Sequence, residues 1–177
     1  TSLTDISFIK TWDISKVTTM NAMFYQSGVV NADFSHLNLP KLTNAYRLFA
    51  NCKSLETVDF TNTNAPLLNT LSNAFAADTK LISADFTGAT FTNASGINLN
   101  SCFNGDTSLQ TITSLGATGA KATDLAYFVN DCRSLQNLGG LAGLDTSKTS
   151  SIYYFARNCS SITSVEPIKD FVTTSLK

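Results

Sequence analysis

The sequence predicts an α/β fold, a right-handed solenoid of about six short helix–strand repeats with one parallel sheet. Three observations predict it: apolar residues recur at a fixed spacing, a polar residue precedes each recurrence, and a short apolar segment follows it. The register is set by six anchor residues, with spacings of 25, 26, 28, 26 and 27, at Met20, Ala45, Leu71, Leu99, Leu125 and Ile152.

The first half of each repeat is predicted to be a helix of about two turns. Apolar residues stand at the anchor and three and four residues later, as in Met20, Met23 and Phe24, which would share one helix face. The residue before each anchor can accept a hydrogen bond from the first-turn amides, at Thr19, Asn44, Thr70, Asn98, Asp124 and Ser151. Such a short helix is unstable alone in water, so its apolar face must pack against neighbouring repeats.

The second half of each repeat is predicted to be a strand. Its apolar residues begin ten positions after the anchor, as in Leu55, Val58 and Phe60, and the opening Leu3, Ile6 and Ile9 repeat the pattern. The same pattern continues to the end of the chain through Leu109, Leu135 and Ile162 and the residues after each. Stacking of these segments would give a parallel sheet of six to seven strands.

The whole chain is predicted to be a single repeat domain, 1–177. A half repeat at 1–11 precedes repeats at about 12–37, 38–63, 64–90, 91–116, 117–143 and 144–171, and a further repeat begins at 172–177. Solenoids usually carry polar capping units, and neither end shows one, so we expect the array to come from a longer one.

Composition argues against several classes of function. The net charge is −1 and charged residues make up 14% of the chain, so binding to nucleic acid has no electrostatic support. No apolar stretch is long enough to span a bilayer, so membrane insertion of these residues is not expected. With one histidine, His36, and no nucleophile–base pair or phosphate-binding loop, we expect no enzyme, no metal and no cofactor. The chain is predicted to be monomeric.

Residues 12–24 and 52–60 resemble the repeat of about 26 residues found in the BspA-like leucine-rich-repeat family of bacterial surface proteins and lipoproteins. Residues 144–148 and 158–162 look like further copies, so the resemblance covers nearly the whole chain. It implies a leucine-rich-repeat-like solenoid, either extracellular on the bacterial cell surface or secreted, and often adhesive. The repeats anchored at Leu71 and Leu99 depart from the family pattern and carry Asp78 and Asp106 in a column where others carry Cys.

That column holds Cys52, Cys132 and Cys159, seven residues after their anchors. Cys132 and Cys159 would lie in adjacent layers, within reach of a disulfide. The alternative is that each is a small buried apolar residue, which is favoured because Ser27 and Asp78 occupy the same column.

Three carboxylates are predicted to stack on the outer face of the sheet, because Asp33, Asp59 and Asp85 each precede a strand phenylalanine. Aligned like charges repel, so the ladder must either accept local hydrogen bonds or hold a cation such as calcium. Local bonds would come from Ser35, Thr61 and Thr87.

The variable outer face of the sheet is the candidate binding surface. It is predicted to hold Glu56, Asp59, Ile82, Asp85, Gln110, Gln136 and Thr163. Broad faces of this kind suit protein or glycan ligands, so we expect a non-catalytic adhesion module with such a ligand at the cell surface. The alternative is a structural spacer, or stalk, in a larger bacterial surface protein. Exposed apolar or aromatic residues would favour binding, and a uniform Thr/Ser/Asn face would favour a spacer.

Overall fold

The computed structural model describes residues 2–172 and residue 174. Small parallel sheets and short 3-10 helices give the chain α/β character. The strands are β1 (Asn31–Asp33), β2 (Thr57–Asp59), β3 (Ser83–Asp85), β4 (Ile97–Asn98), β5 (Thr111–Thr113) and β6 (Ala122–Asp124). The 3-10 helices are Ser7–Thr11, Leu115–Thr118, Gly139–Leu141 and Glu166–Ile168. Within the described residues, no helix is both long and apolar enough to cross a membrane.

The predicted parallel pairing of successive repeats is confirmed for four strands. They pair in the order β1-β2-β3-β5, and Ala32, Val58, Ala84 and Ile112 are register partners. All four of these residues are buried, so the inward face of the sheet is apolar as predicted. A second small sheet pairs β4 with β6.

The prediction of one sheet of six to seven strands is wrong. Three of the predicted strands, the first one and the last two, are not formed. Their places are taken by the 3-10 helices Ser7–Thr11, Gly139–Leu141 and Glu166–Ile168. At Gly140 the backbone approaches β5 so closely that a Cβ would lie 1.9 Å from the carbonyl oxygen of Ile112. Pro167, at the start of the last helix, has no N–H to donate to a strand ladder.

The predicted helices are also wrong. The six segments 19–27, 44–52, 70–78, 98–106, 124–132 and 151–159, here called turn layers, contain turns and bends and no α-helix in the described chain. In each layer the anchor carbonyl accepts a hydrogen bond from the amide three residues later, as from Ala74 to Leu71 at 2.9 Å. The residues that stand n positions after the anchors of the six layers form column +n.

Backbone hydrogen bonds explain why turns replace helices. In every layer but the last, the amides in columns 0, +2, +4 and +6 donate to carbonyls of the following layer, as Leu71 does to Asn98 and Asn73 does to Asn100, both at 2.9 Å. Each of the five junctions has four such bonds. A helix of two turns would leave its first four amides without an intrahelical partner. The turn layer pairs these groups with the next layer, as buried backbone requires.

Positive φ angles make this arrangement possible. Columns +2 and +6 have positive φ in all six layers, as at Ala77 (64°) and Gly105 (83°). A positive φ at the third residue of a four-residue turn is the requirement of a type II turn. The predicted capping residues keep their role as acceptors, since Asn44, Thr70, Asn98 and the equivalent side chains accept the amide two residues later.

Stacked phenylalanine rings fill the core between the turn layers and the strands. The first stack lies in the turn layers, with centroid spacings of 5.1, 6.2 and 5.2 Å between Phe24, Phe49, Phe75 and Phe103. The second follows the strands, with spacings of 5.0 and 5.6 Å between Phe34, Phe60 and Phe86. An edge-to-face contact of Phe34 with Phe49, at 5.6 Å, joins the two stacks.

Candidate functional site

The structure brings four of the predicted binding residues into one exposed column. The amide of Ile82 donates to the carbonyl of Glu56, that of Gln110 to Ile82, and that of Gln136 to Gln110, at 2.8 to 3.2 Å. All four side chains are exposed. Thr163 is exposed too, but among the described hydrogen bonds the ladder ends at Gln136. The column therefore presents a continuous line of varied side chains on a hydrogen-bonded backbone.

A cleft of about 380 Å³ lies beside the end of this column. It forms where β5, the last strand of its sheet, meets the turn at Gly139 and Gly140. Hydroxyl and amide groups face it together with small apolar groups, from Thr111, Thr113, Ser114, Asn137 and Ala117. Gln110 and Gln136 directly precede two of these residues in the chain, so the column and the cleft form one surface.

The three predicted carboxylates stack as expected, because Asp33, Asp59 and Asp85 are register partners in β1, β2 and β3. Each carboxylate accepts a backbone N–H two residues later, from Ser35, Thr61 and Thr87 at 2.8 to 3.0 Å. The hydroxyls of Ser35 and Thr87 also donate to them, both at 2.7 Å. Local hydrogen bonds thus occupy one oxygen of each carboxylate.

Lys10 relieves the repulsion at one end of the ladder. Its Nζ lies 2.5 Å from the carboxylate of Asp33 and donates to the hydroxyl of Ser35 at 2.9 Å. Partial burial opposes ionisation of Asp33, but the hydrogen bonds from Lys10 and Ser35 hold its pKa below the usual value. Among the described residues, no group of three or more His, Cys, Asp or Glu side chains is arranged to hold a metal ion. Calcium binding stays a prediction.

In the cysteine column, the structure agrees with the second alternative, that each cysteine is a small side chain packed in the core and not part of a disulfide. Cys52, Cys132 and Cys159 are free thiols, and each Sγ donates to a carbonyl oxygen of the preceding layer at 2.9 to 3.0 Å. Burial raises the pKa of all three, that of Cys159 to about 11. These thiols, buried at Cys52 and Cys132 and half-buried at Cys159, therefore act as small donors that link each layer to the previous one.

The same column contains a buried pair of carboxyl groups whose importance the sequence did not reveal. Asp78 and Asp106 are both 0% exposed. One oxygen of Asp78 accepts the amide of Cys52, and one oxygen of Asp106 accepts the amide of Asp78. The second oxygen of each has no hydrogen-bond partner in the described structure. Burial raises the pKa of Asp78 to about 9 and that of Asp106 well above its usual value.

Exposed tyrosines form a second feature, which the predicted binding surface did not include. The rings of Tyr153 and Tyr154 stack at 4.0 Å, and both contact Tyr127 at 5.4 Å. Tyr153 is 55% exposed, and the guanidinium of Arg157 lies 4.6 Å from the ring centre of Tyr154. Tyr127 and Tyr154 both stand in column +2, where the φ angle is positive.

A family model matches the first half of the chain. Residues 3–88 match the family model described as a Mycoplasma protein of unknown function, DUF285. No curated protein and no solved structure matches the chain. The family description gives no activity.

Proposed function

We propose that the chain is a non-catalytic binding module displayed extracellularly on a bacterial cell surface, where it mediates adhesion to a protein or glycan. The observation that carries the proposal is the exposed column from Glu56 to Gln136, which leads into the cleft beside β5. The side chains of the column change along most of its length, whereas the backbone hydrogen bonding is the same in every layer. This combination is expected of a recognition surface on a solenoid.

The proposal includes the finer description of the fold as a right-handed leucine-rich-repeat-like solenoid of the BspA-like class. Two features support it. Paired strands are related by a shift of one repeat, as Thr57 is to Asn31, and each turn layer is hydrogen-bonded to the next. The Mycoplasma family that matches residues 3–88 is consistent with a bacterial source.

Of the two ligand classes, the cleft favours a glycan. Thr111, Thr113, Ser114 and Asn137 supply hydroxyl and amide groups that can both donate and accept hydrogen bonds. Sugar hydroxyls need partners of this kind. The adjoining Gln110 and Gln136 can extend the contact beyond the cleft, and none of the described residues that line the cleft is charged.

An array of glycans and a panel of purified matrix proteins, each probed with the chain at micromolar concentration, would test the proposal. Binding to one glycan class is expected. Gln136→Ala should weaken it about tenfold, the effect of losing about 1.4 kcal/mol. Gln26→Ala is the matched control, because Gln26 is also exposed but lies outside the column and the cleft. An equal loss of glycan affinity in both variants, or no binding of the wild-type chain to any probe, would contradict the proposal.

A structural spacer is the second candidate. It is favoured by the outward residues of the sheet, which are small and polar at Asn31, Thr57, Ser83 and Thr111. Ile82, at 41% exposure, is the single strongly apolar side chain among the predicted binding residues. Absence of binding to every glycan and protein probe would favour the spacer.

A further inference from the structure

The outer edge of β5 is open at a point inside the array. In a strand, the N–H and C=O of one residue point to the same side, and those of the next residue point to the opposite side. The carbonyl of Thr113 accepts the amide of Phe86, the residue after β3, at 3.0 Å, so Thr113 faces β3. The N–H and C=O of Ile112 therefore point away from β3. Among the described residues, no strand pairs with β5 on that side.

The next repeat leaves this edge and then returns to it. The amide of Gln136 donates to the carbonyl of Gln110 at 3.2 Å, so the two repeats are still paired there. Residues 137–139 make no such bond to β5, and at Gly140 the backbone lies against the carbonyl of Ile112. The N–H of Ile112 lies between these two contacts, where the cleft forms, and no partner for it is described on that side.

The side chains that line the cleft favour an uncharged sugar. Asn137 accepts the amide of Gly139 with its Oδ1 at 2.8 Å, so its Nδ2 remains to donate a hydrogen bond. The hydroxyls of Thr111 and Thr113 make no hydrogen bond among those described, so they can bind sugar hydroxyls. Because none of the described lining residues is charged, a charged ligand group would lose its hydration without an ion partner.

We propose that the cleft binds an uncharged, N-acetylated sugar residue whose acetyl oxygen accepts a hydrogen bond from the N–H of Ile112. This inference rests on the glycan binding proposed above and names the class of sugar. The acetyl methyl group would pack against the small apolar residues that line the cleft, Ala117 and Ala142. The cleft volume of about 380 Å³ lies at the lower end of the range of about 300–1,000 Å³ for ligand pockets, which suits one sugar residue.

Two properties of the acetyl group fit this point better than a sugar hydroxyl does. Its oxygen is an amide carbonyl, the acceptor with which a strand N–H pairs in a sheet. Its methyl group gains from burial beside Ala117 and Ala142, whereas a hydroxyl there would need a hydrogen-bond partner of its own. A sugar without the acetyl group leaves the N–H of Ile112 unpaired and should therefore bind about tenfold more weakly.

An extended peptide fits this edge less well than a sugar does. A strand added to β5 would run about 4.8 Å from it along its whole length. The backbone at Gly140 already lies beside the carbonyl of Ile112, where that strand would have to pass. The edge therefore has room for one amide group and not for an added strand.

Amide hydrogen exchange at Ile112 tests whether the acetyl group reaches this N–H. In the free chain the amide of Ile112 should exchange faster than that of Thr113, which faces β3. A saturating N-acetylated sugar should slow exchange several-fold at Ile112 and leave Thr113 unchanged. Unchanged exchange at Ile112 with the sugar bound would overturn the inference.

Two alanine variants locate the binding. Ala117→Leu fills the cleft with a larger side chain and should abolish binding of the N-acetylated sugar. Ala94→Leu is the matched control, because Ala94 is also exposed but lies outside the cleft, and it should keep the wild-type affinity. Circular dichroism and thermal melting check that both variants are folded. An equal loss of affinity in the two would contradict binding in the cleft.

Isothermal titration calorimetry measures the preference for the acetyl group. The probes are the methyl glycosides of N-acetylglucosamine, N-acetylgalactosamine, glucose and galactose, and N-acetylalanine methylamide, which has the amide without the sugar hydroxyls. An N-acetylated sugar should bind about tenfold more tightly than its parent sugar and than the methylamide.

The outcomes separate this inference from the proposed function. Equal affinity for an N-acetylated sugar and its parent sugar would overturn the inference and leave glycan binding intact. Equal or tighter binding of the methylamide would overturn it in favour of a peptide ligand. Absence of binding to both N-acetylated sugars would overturn it too, and the glycan array then decides whether the proposed function stands.

Discussion

The side-chain Oδ1 of Asp106 accepts a hydrogen bond of 2.8 Å from the backbone N–H of Asp78, the residue in the same column of the preceding turn layer. Both residues are fully buried, and the neighbouring column members Cys52 and Cys132 present thiols instead. A carboxyl at this position can therefore replace a thiol as a link between layers, but it has to be buried largely in its neutral form.

The free energy of unfolding is expected to fall as the pH rises from about 5 to about 8. Burial raises the pKa of Asp78 to about 9 in the folded chain, against 3.8 as the ordinary value. The folded chain thus holds more protons than the unfolded chain in this range, and a rising pH favours unfolding. The contribution of the protonated Asp78 carboxyl to stability is fully present below about pH 4 and is lost as the pH rises through about 9. Urea denaturation at the two pH values measures the difference.

The control for this prediction replaces both acids. Asp78→Asn with Asp106→Asn keeps an oxygen acceptor for each amide and removes the ionisable group, so the fall in stability should largely disappear. Asp33→Asn is the matched single change, because Asp33 is exposed and its pKa is lowered, and it should keep the wild-type slope. A double variant with the wild-type slope would contradict the explanation.

Two neighbouring alanines distinguish a turn layer from a helix. Ala77 has a positive φ of 64°, and Gly105 occupies the same column, whereas Ala76 has no positive φ. Ala77→Gly should leave the free energy of unfolding unchanged or raise it by up to about 1 kcal/mol, because glycine adopts this φ without strain. Ala76→Gly should lower it by about 0.5–1 kcal/mol. In a helix both changes would lower it similarly, and urea denaturation of the two variants shows which is the case.

Phe75 is a fully buried side chain whose loss should be costly. Its ring contacts Phe49, Phe60 and Phe103 at centroid distances of 5.2 to 6.2 Å. Phe75→Ala should lower the free energy of unfolding by about 3–5 kcal/mol, through lost burial and the cavity left behind. Leu67→Ala, at a residue 44% exposed, should change it by less than about 0.5 kcal/mol. Comparable losses in the two variants would argue against the phenylalanine stack.

The thiols should be free and slow to react. Cys159 is partly exposed, but burial raises its pKa to about 11, so alkylation of the folded chain near neutral pH should modify Cys159 slowly and the other three still more slowly. Unfolding without reductant should then allow all four to react. A mass lower by two hydrogens, with Cys132 and Cys159 peptides linked, would contradict this prediction.

The side-chain columns could be predicted from the sequence, but the backbone of the turn layers could not. Apolar residues at columns 0, +3 and +4 fit one face of a helix and also fit the buried side of a turn layer. The positive φ angles fall on residues such as Ala77 and Tyr127, which usually avoid them. A weaker signal was present in column +6, where Asn51, Gly105 and Asp131 are residue types that tolerate positive φ.

The candidate site was predictable to a similar extent. Periodicity placed Glu56, Ile82, Gln110 and Gln136 in one exposed column, and the structure confirms that arrangement. The cleft depends on where the sheet stops, which is decided by the close approach of Gly140 to Ile112. Repeat spacing continues through this region without interruption, so it gives no sign that a 3-10 helix replaces the strand.

Amide hydrogen exchange, residue by residue, tests the layered structure most directly. In the folded chain the amides of Leu71 and Asn73 should be strongly protected, because they donate to the next layer. The amides of Ile152 and Tyr154, in the same columns of the last layer, should exchange quickly. Helices at these segments would leave the first-turn amides of Leu71 and Asn73 without an intrahelical backbone partner. Fast exchange at all four amides would therefore contradict the stacked turn layers.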